Sequence, residues 1–244
     1  MSGITNRASG GLTERWTGWL FRKVTISCIE VLSERFRVIT LAGAGLRDAR
    51  WVPRQKIQIT VERGANRTYT PFEWDSVQGE TRILAFSEGQ GPGAVWATKV
   101  HVGDACRFSG PRRSLDLSGL GRSTFLFGDE TSFGLALALR TTIAPSDTVA
   151  LLFEVSSVEE SERAWQAFGG PSVPLVRRTD ADAHLTEVET QTLKILDERA
   201  PTDFILTGKA SSIQRVRGLL RDRGIPSSCL RVKAYWAAGR KGLD

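Results

Sequence analysis

The chain has 244 residues, 41% of them apolar and 25% charged, and carries a formal charge of +6. That length suits one large domain or two smaller ones with real cores, and the composition is that of an ordinary globular protein. It argues against a disulfide or cysteine–metal framework, because Cys28, Cys106 and Cys229 are odd in number and far apart, and against a membrane span, because no apolar run approaches the ~20 residues one needs.

Positions 1–15 are expected to be a disordered tail: Met1 to Gly11 are polar and glycine-rich, without the apolar stretch of a signal peptide. A reduced, cytoplasmic setting fits this and the cysteine usage. The positive charge favours anionic partners. Nucleic acid is not among those expected, since there is no zinc-finger spacing, aromatic RNP-like strand or dense Lys/Arg block.

From Lys23 to about Gly110 the pattern is one of strands. Val24 to Val31 alternates, placing Val24, Ile26, Cys28 and Glu30 on one face, and Phe36 to Leu41 follows after a polar turn, a hairpin signal. Lys56–Val61, Arg67–Thr70, Thr81–Phe86 and Ala105–Ser109 read as further strands, with one helix over 93–99 behind a glycine-rich turn. Six short strands at this spacing predict an antiparallel barrel or sandwich. Past Gly119 the rhythm becomes strand, helix, strand. Strands are predicted at 124–128, 148–155, 174–178, 203–208 and 230–236, with helices at 131–140, 161–168, 185–197 and 211–223. Such alternation implies a parallel sheet flanked by helices, with its ligand beyond the carboxyl ends of the strands. Cys28 and Cys229 are expected in the core, His101 and His184 at the surface, and Glu159, Glu160 and Glu162 at a solvated helix start.

Two constellations carry chemistry. The first is Arg67-Thr68-Tyr69-Thr70. On a strand Arg67 and Tyr69 share one face and Thr68 and Thr70 the other. An arginine fork can hold a phosphate, a tyrosine ring can stack on a flat heterocycle, and a threonine hydroxyl can bond a ring nitrogen. The second is Gly89 to Ala97, where glycines ahead of a helix let backbone N–H groups approach an anion. Each alone is a weak signal: an edge strand with a surface arginine, or a plain Pro-initiated turn, would look the same.

Together, in this order, Arg67-Thr68-Tyr69-Thr70-Pro71 and Gly91-Pro92-Gly93-Ala94-Val95-Trp96-Ala97 closely resemble the siderophore-interacting proteins, FAD-dependent ferric-siderophore reductases of the ferredoxin-reductase-like superfamily. Phe36 to Gly43, Trp51 to Gln55, Gly110-Pro111-Arg112, Gly128-Asp129-Glu130-Thr131, Gly208-Lys209-Ala210-Ser211 and Lys233-Ala234-Tyr235-Trp236 with Gly239-Arg240 extend the likeness over residues 20–244. The resemblance implies a six-stranded antiparallel FAD-binding β-barrel over 16–119 and a parallel-sheet α/β domain over 120–244 that docks NAD(P)H or ferredoxin. It implies that Arg67 holds the FAD phosphates, that Tyr69 stacks on the isoalloxazine, and that Thr70 bonds near the flavin N5, so Tyr69 and Thr70 carry the catalytic roles. Thr68 and Trp96 belong to the same cofactor set, with Gly91, Gly93, Ala94 and Val95 offering backbone N–H groups to the pyrophosphate. Asp129, Glu130 and Thr131 would line the reductant's cleft. Lys233, Arg240 and Lys241 would attract an anionic ferric siderophore.

The implied reaction takes electrons from NADPH or reduced ferredoxin and delivers them through FAD to Fe(III), whose reduction loosens its hard oxygen ligands. The +6 charge would suit an acidic ferredoxin. Departures from the family pattern are Phe72, where a second arginine is common, Ser87-Glu88, where a histidine is common, and Lys209 in place of an acid. They leave open two alternatives: an electron-transfer protein of the same fold with another acceptor, such as a quinone, free flavin or an iron–sulfur partner, and a relative that has lost flavin and acts as a binding module.

Overall fold

The structure, a computed structural model, describes residues 21–62, 65–142, 144 and 146–239; the expected tail, Arg240 and Lys241 lie outside them. Its first half is a curled antiparallel sheet of strands β1 (Arg22–Val31), β2 (Phe36–Ala42), β3 (Lys56–Glu62), β4 (Ala65–Tyr69), β5 (Glu73–Asp75), β6 (Glu80–Phe86) and β7 (Ala105–Arg112). Seven strands run in the order β4-β3-β7-β1-β2-β6-β5, so the sheet has one more strand than expected. The addition is β5, whose three residues pair with Glu80–Arg82 and are too few to show alternation. A short helix α1 (Ala44–Arg47) follows β2, and α2 (Pro92–Lys99) follows β6. The inner face buries Val24, Ile26, Ile39, Leu41, Ile57, Ile59, Ile83 and Phe108.

Cys28 is exposed rather than in the core. A register shift between Ile26 and Cys28 inserts one residue into β1, which turns the following side chains over and brings Ile29 to the core.

The second half is a five-stranded parallel sheet of β8 (Ser123–Asp129), β9 (Thr148–Val155), β10 (Leu175–Arg177), β11 (Asp203–Lys209) and β12 (Leu230–Trp236), in the order β10-β9-β8-β11-β12. The chain moves outward from β8 to β10, then returns to β11 on the other side of β8, so the strand order reverses between β8 and β11. Helices α3 (Phe133–Arg140) and α4 (Val158–Gln166) cover one face; α5 (Leu185–Arg199) and α6 (Ala210–Asp222) cover the other. Helix α4 starts three residues before the expected Ser161, because the Ser157 hydroxyl accepts from Glu160 N–H and caps it. Among the described residues no helix is long and apolar enough to cross a membrane.

The two sheets share a core. Phe36 and Val38 of β2, Phe72 and Leu117 pack with Phe133 of α3 and Trp165 of α4. Phe36 stacks on Phe133 at 5.6 Å, and Phe72 meets Phe168 edge-on at 5.1 Å. Phe72 is thus spent on packing between the halves, where an arginine would need a partner. A polar clamp flanks this core. Glu160 accepts hydrogen bonds from Ser33 Oγ (3.0 Å) and from the Arg35 backbone (3.2 Å) and guanidinium (3.2 Å). Against the cost of burial, the bonds from Arg35 and Ser33 hold its carboxyl below its usual range. Glu160 is therefore a domain-joining residue and not part of a solvated helix start.

Candidate functional site

Strand β4 and the first turn of α2 come together as one surface. Arg67 lies in β4 opposite Ile59, and its side chain crosses Gly93 so closely that a Cβ at 93 would stand 3.0 Å from Arg67 Cγ. Its Nη1 donates to the Asn66 carbonyl (2.7 Å); among the described residues its Nε and Nη2 make no other bond. Helix α2 has Gly91 as N-cap, Pro92 in its first turn and no side-chain cap. The first-turn N–H groups of an α-helix lack intrahelical acceptors, so those of Gly93 and Ala94 stand at an uncapped tip beside an arginine. Val95 differs from expectation, since its N–H bonds the Gly91 carbonyl (3.0 Å) and closes the turn. One uncapped helix tip with a guanidinium across it is the chemistry a diphosphate needs.

Further along, Tyr69 packs against Trp96, ring centroids 5.9 Å apart. Burial pushes its phenol well above the usual range, so it is a neutral, flat, half-buried surface. Thr68 lies between Arg67 and Tyr69, opposite Gln58. Thr70 leaves the strand at the junction of the two halves: its carbonyl lies 2.7 Å from where a Gly134 Cβ would be, so only glycine lets α3 approach this closely. The Thr70 side chain lies beside the Tyr235 phenol of β12. Lys233 and Tyr235 share a face of β12, and Lys233 is half-buried with no ion pair among the described residues. Strand β4, helix α2 and β12 thereby supply an arginine at a helix tip, an aromatic face, a threonine hydroxyl and a cation. These residues fit FAD.

At the carboxyl edge of the parallel sheet the arrangement is unlike an open ligand site. Asp129 and Glu130 are 0% and 2% exposed. Asp129 Oδ1 accepts from the Thr131 N–H (2.9 Å) and hydroxyl, and Oδ2 from Trp236 Nε1 (2.6 Å). Gly208, at φ +99°, permits this: a Cβ there would come 2.5 Å from Asp129 Oδ2. Glu130 accepts from Arg178 (2.6 and 2.9 Å) and from the Ser156 N–H (2.6 Å). Of the three residues expected to line a reductant's cleft, Thr131 alone is exposed; Asp129 and Glu130 are internal.

Sequence reasoning missed Arg178 and His184. His184 is 6% exposed, against the surface expectation, and bonds Glu154 through Nε2 (2.8 Å). Its Nδ1 accepts from the Thr179 N–H (3.3 Å). Lys209, which stands in place of an acid, pairs with Asp182 (2.5 Å). Glu88, in the stretch that departs from the family pattern, bridges Arg35 (3.0 Å) and Arg178 (3.2 Å), one from each half. A charged residue ending a strand at the carboxyl edge, as Arg178 nearly does, is the one signal that could have marked it.

Burial, and then the nearby Glu130, push the Asp129 carboxyl up to about 7 against the bonds from Thr131 and Trp236 and the attraction of Arg178. An acid raised above its ordinary 3.8 holds its proton more tightly folded than unfolded. Its contribution to stability is whole below that ordinary value and is lost as pH rises through about 7. The thermal midpoint should therefore fall more steeply in wild type than in Asp129→Asn between about pH 4 and 7. Equal slopes for the two proteins would refute the assignment.

Residues 48–115 match the siderophore-interacting FAD-binding domain, and residues 122–239 match the siderophore-interacting protein family. No curated protein matches the chain in sequence. Among solved structures, the siderophore-interacting protein SipS from Aeromonas hydrophila is similar at 18% identity and a TM-score of 0.75, covering 91% of this chain and 93% of that one. A siderophore utilization protein from T. fusca is similar at 20% identity and a TM-score of 0.73, covering 92% and 95%. The ferredoxin reductase in carbazole 1,9a-dioxygenase shares the fold at 19% identity and a TM-score of 0.69, covering 88% of this chain and 68% of that one. With the two family matches lying one after the other on the two halves, the chain belongs to the siderophore-interacting proteins, with an FAD-binding half followed by an α/β half.

Proposed function

We propose that the protein is an FAD-dependent oxidoreductase that reduces the iron of ferric siderophores, drawing electrons from NADPH or reduced ferredoxin. The observation that carries this reading is the shared surface of Arg67, the uncapped tip of α2 and Tyr69, which ends at Thr70, beside Tyr235, where the two halves meet.

Bound FAD would supply the exchange between two-electron and one-electron partners, so that one NADPH and two ferric chelates become one NADP⁺, two ferrous ions and one proton. The chain's own residues bind and orient. Arg67 and the N–H groups of Gly93 and Ala94 hold the diphosphate, Tyr69 presents a ring face, and the Thr70 hydroxyl, beside Tyr235, offers a donor to the ring's reactive edge. Lys233 adds positive charge on the face of β12 that carries Tyr235, which favours an anionic ferric chelate. Arg240 and Lys241 extend that basic stretch in sequence. No protein nucleophile is called for, because neither electron transfer nor ligand release passes through a covalent protein adduct.

The purified protein should be yellow, release FAD on denaturation, and form ferrous iron from ferric chelates when given NADPH or reduced ferredoxin, read with a ferrous-trapping dye. Flavin-loaded protein that reduces a quinone or free flavin but no ferric chelate would move the acceptor elsewhere. Colourless protein that takes up no FAD would end the reading.

A further inference from the structure

In open parallel sheets ligands bind beyond the carboxyl ends of the strands, in the crevice where strand order reverses. Here that crevice lies over β8 and β11, and the chain's own groups fill it from three sides. Arg178, directly after β10, reaches over β9 and β8. It bonds both oxygens of Glu130 (2.6 and 2.9 Å) and the Glu154 carbonyl (3.2 Å), and its guanidinium lies 5.7 Å from the Trp236 ring. Asp182, four residues on, reaches the end of β11: Oδ1 takes Lys209 Nζ (2.5 Å) and Oδ2 takes Ser211 Oγ (3.2 Å) in the first turn of α6. From the other edge Trp236 folds across Gly208 to Asp129, with Lys209 Nζ 5.8 Å from its ring. Glu88 closes the barrel side through Arg178 (3.2 Å).

The donors that a nucleotide diphosphate would use are already taken. The turn after β8 is a reciprocal capping box, in which Asp129 accepts from the Thr131 N–H and Ser132 Oγ accepts from the Asp129 N–H. The Ser156 N–H at the end of β9 goes to Glu130 (2.6 Å). The carboxylates of Glu88, Glu130, Glu154 and Asp182 outnumber the cations Arg35, Arg178 and Lys209 that pair with this edge, so a diphosphate meets a field of its own sign. The filling segment is held in a conformation the backbone does not favour. Ala181 and Asp182 have φ +54° and +59°, successive left-handed residues with Cβ atoms, a geometry that persists only where neighbours impose it. The Asp182–Lys209 pair is the neighbour that imposes it.

We infer that the segment Arg178–His184, together with Trp236, is a built-in plug that keeps a pyridine dinucleotide out of this crevice, so that the flavin is reduced by a one-electron protein carrier that does not bind there. This rests on the FAD reading above and selects between its two donors. Each reduced carrier loses one electron, and each ferric chelate gains one. An acidic iron–sulfur protein is the carrier class that a chain of charge +6 attracts.

The test titrates NADP⁺ and 2′,5′-ADP into the FAD-loaded full chain by calorimetry. Wild type should show no saturable binding up to about 1 mM, and the Asp182→Ala/Trp236→Ala double variant should bind at least about ten-fold more tightly. Wild type binding as tightly as the variant, or a folded variant that gains nothing, overturns the plug. Should the double variant fail to fold, hydrogen exchange of wild type decides: added NADP⁺ should leave protection of residues 178–184 unchanged, and a gain in protection overturns the proposal. In stopped flow, dithionite-reduced [2Fe–2S] ferredoxin should reduce the bound FAD at least about ten times faster than equimolar NADPH; a rate with NADPH equal to or above that with ferredoxin also overturns it. Colourless protein would sink the flavin reading alone, since the same calorimetric comparison is then made on the flavin-free full chain.

Discussion

Replacing Arg67 with alanine is expected to weaken FAD binding by about 10- to 100-fold, the equivalent of losing one charge-assisted hydrogen bond of about 1.5–3 kcal/mol. The guanidinium is free to give that bond, because Asn66 takes only Nη1. Its stem also crosses the tip of α2, with Cγ 3.0 Å from where a Gly93 Cβ would stand. Gly93→Ala should therefore imitate Arg67→Ala in direction: the added methyl displaces the stem without touching the charge. Arg67→Lys keeps the charge but loses the fork, and should recover only part of the affinity. Fluorescence titration of apo-protein with FAD reads all three. Because Arg67 is part-buried and, among the described residues, bonds only a neighbouring carbonyl, the melting temperature of the apo-protein should barely change. An unchanged dissociation constant in Arg67→Ala would remove the phosphate grip from the site.

Phe133→Ala should be the most damaging single truncation of the packing between the halves. The ring is fully buried and touches both sides of the junction: Phe36 of the antiparallel sheet at 5.6 Å, and Phe153 and Trp165 of the parallel half at 4.7 and 5.6 Å. Phe→Ala in a core costs about 3–5 kcal/mol, the lost transfer energy plus the cavity left behind. In a chain of this size each kcal/mol moves the melting temperature by roughly 2–4 °C, so a drop of roughly 6–20 °C is expected by calorimetry. Phe133→Leu refills much of the volume and should cost less. The groove at Thr70 depends on the same packing, because Gly134 follows Phe133 and touches the Thr70 carbonyl. FAD affinity should fall with stability in Phe133→Ala, whereas Arg67→Ala lowers affinity alone. A loss below about 1 kcal/mol would mean that the ring does not tie the halves together.

How legible each feature was depended on how local its cause is. The strands of both sheets were readable from alternation and apolar runs, and α6 from its amphipathic stripe and the Gly224 stop, where φ is +76°. The short strand β5 and the bulge at Cys28 were not, since three residues carry no period and an inserted residue leaves the composition of β1 unchanged. Val95 was misread as a ligand donor because the register of the first turn of α2 cannot be counted until the N-cap is known. Glu160 looked like a dipole-complementing surface acid, and its partner Arg35 lies 125 residues away.

Acting alone, the order of residues determined the local grammar of this protein. It specifies antiparallel strands and then βα units, and it places Arg67, Tyr69 and Thr70 on one short strand ahead of a glycine-opened helix, because hydrophobic periodicity and the demands of turns act over a few neighbouring positions. The state of the carboxyl edge was decided only in three dimensions. Arg178 meets Glu130 across 48 residues and Trp236 meets Asp129 across 107. Whether such groups face a ligand or one another depends on strand order and register, which pairings distant in sequence set, and no local pattern records them.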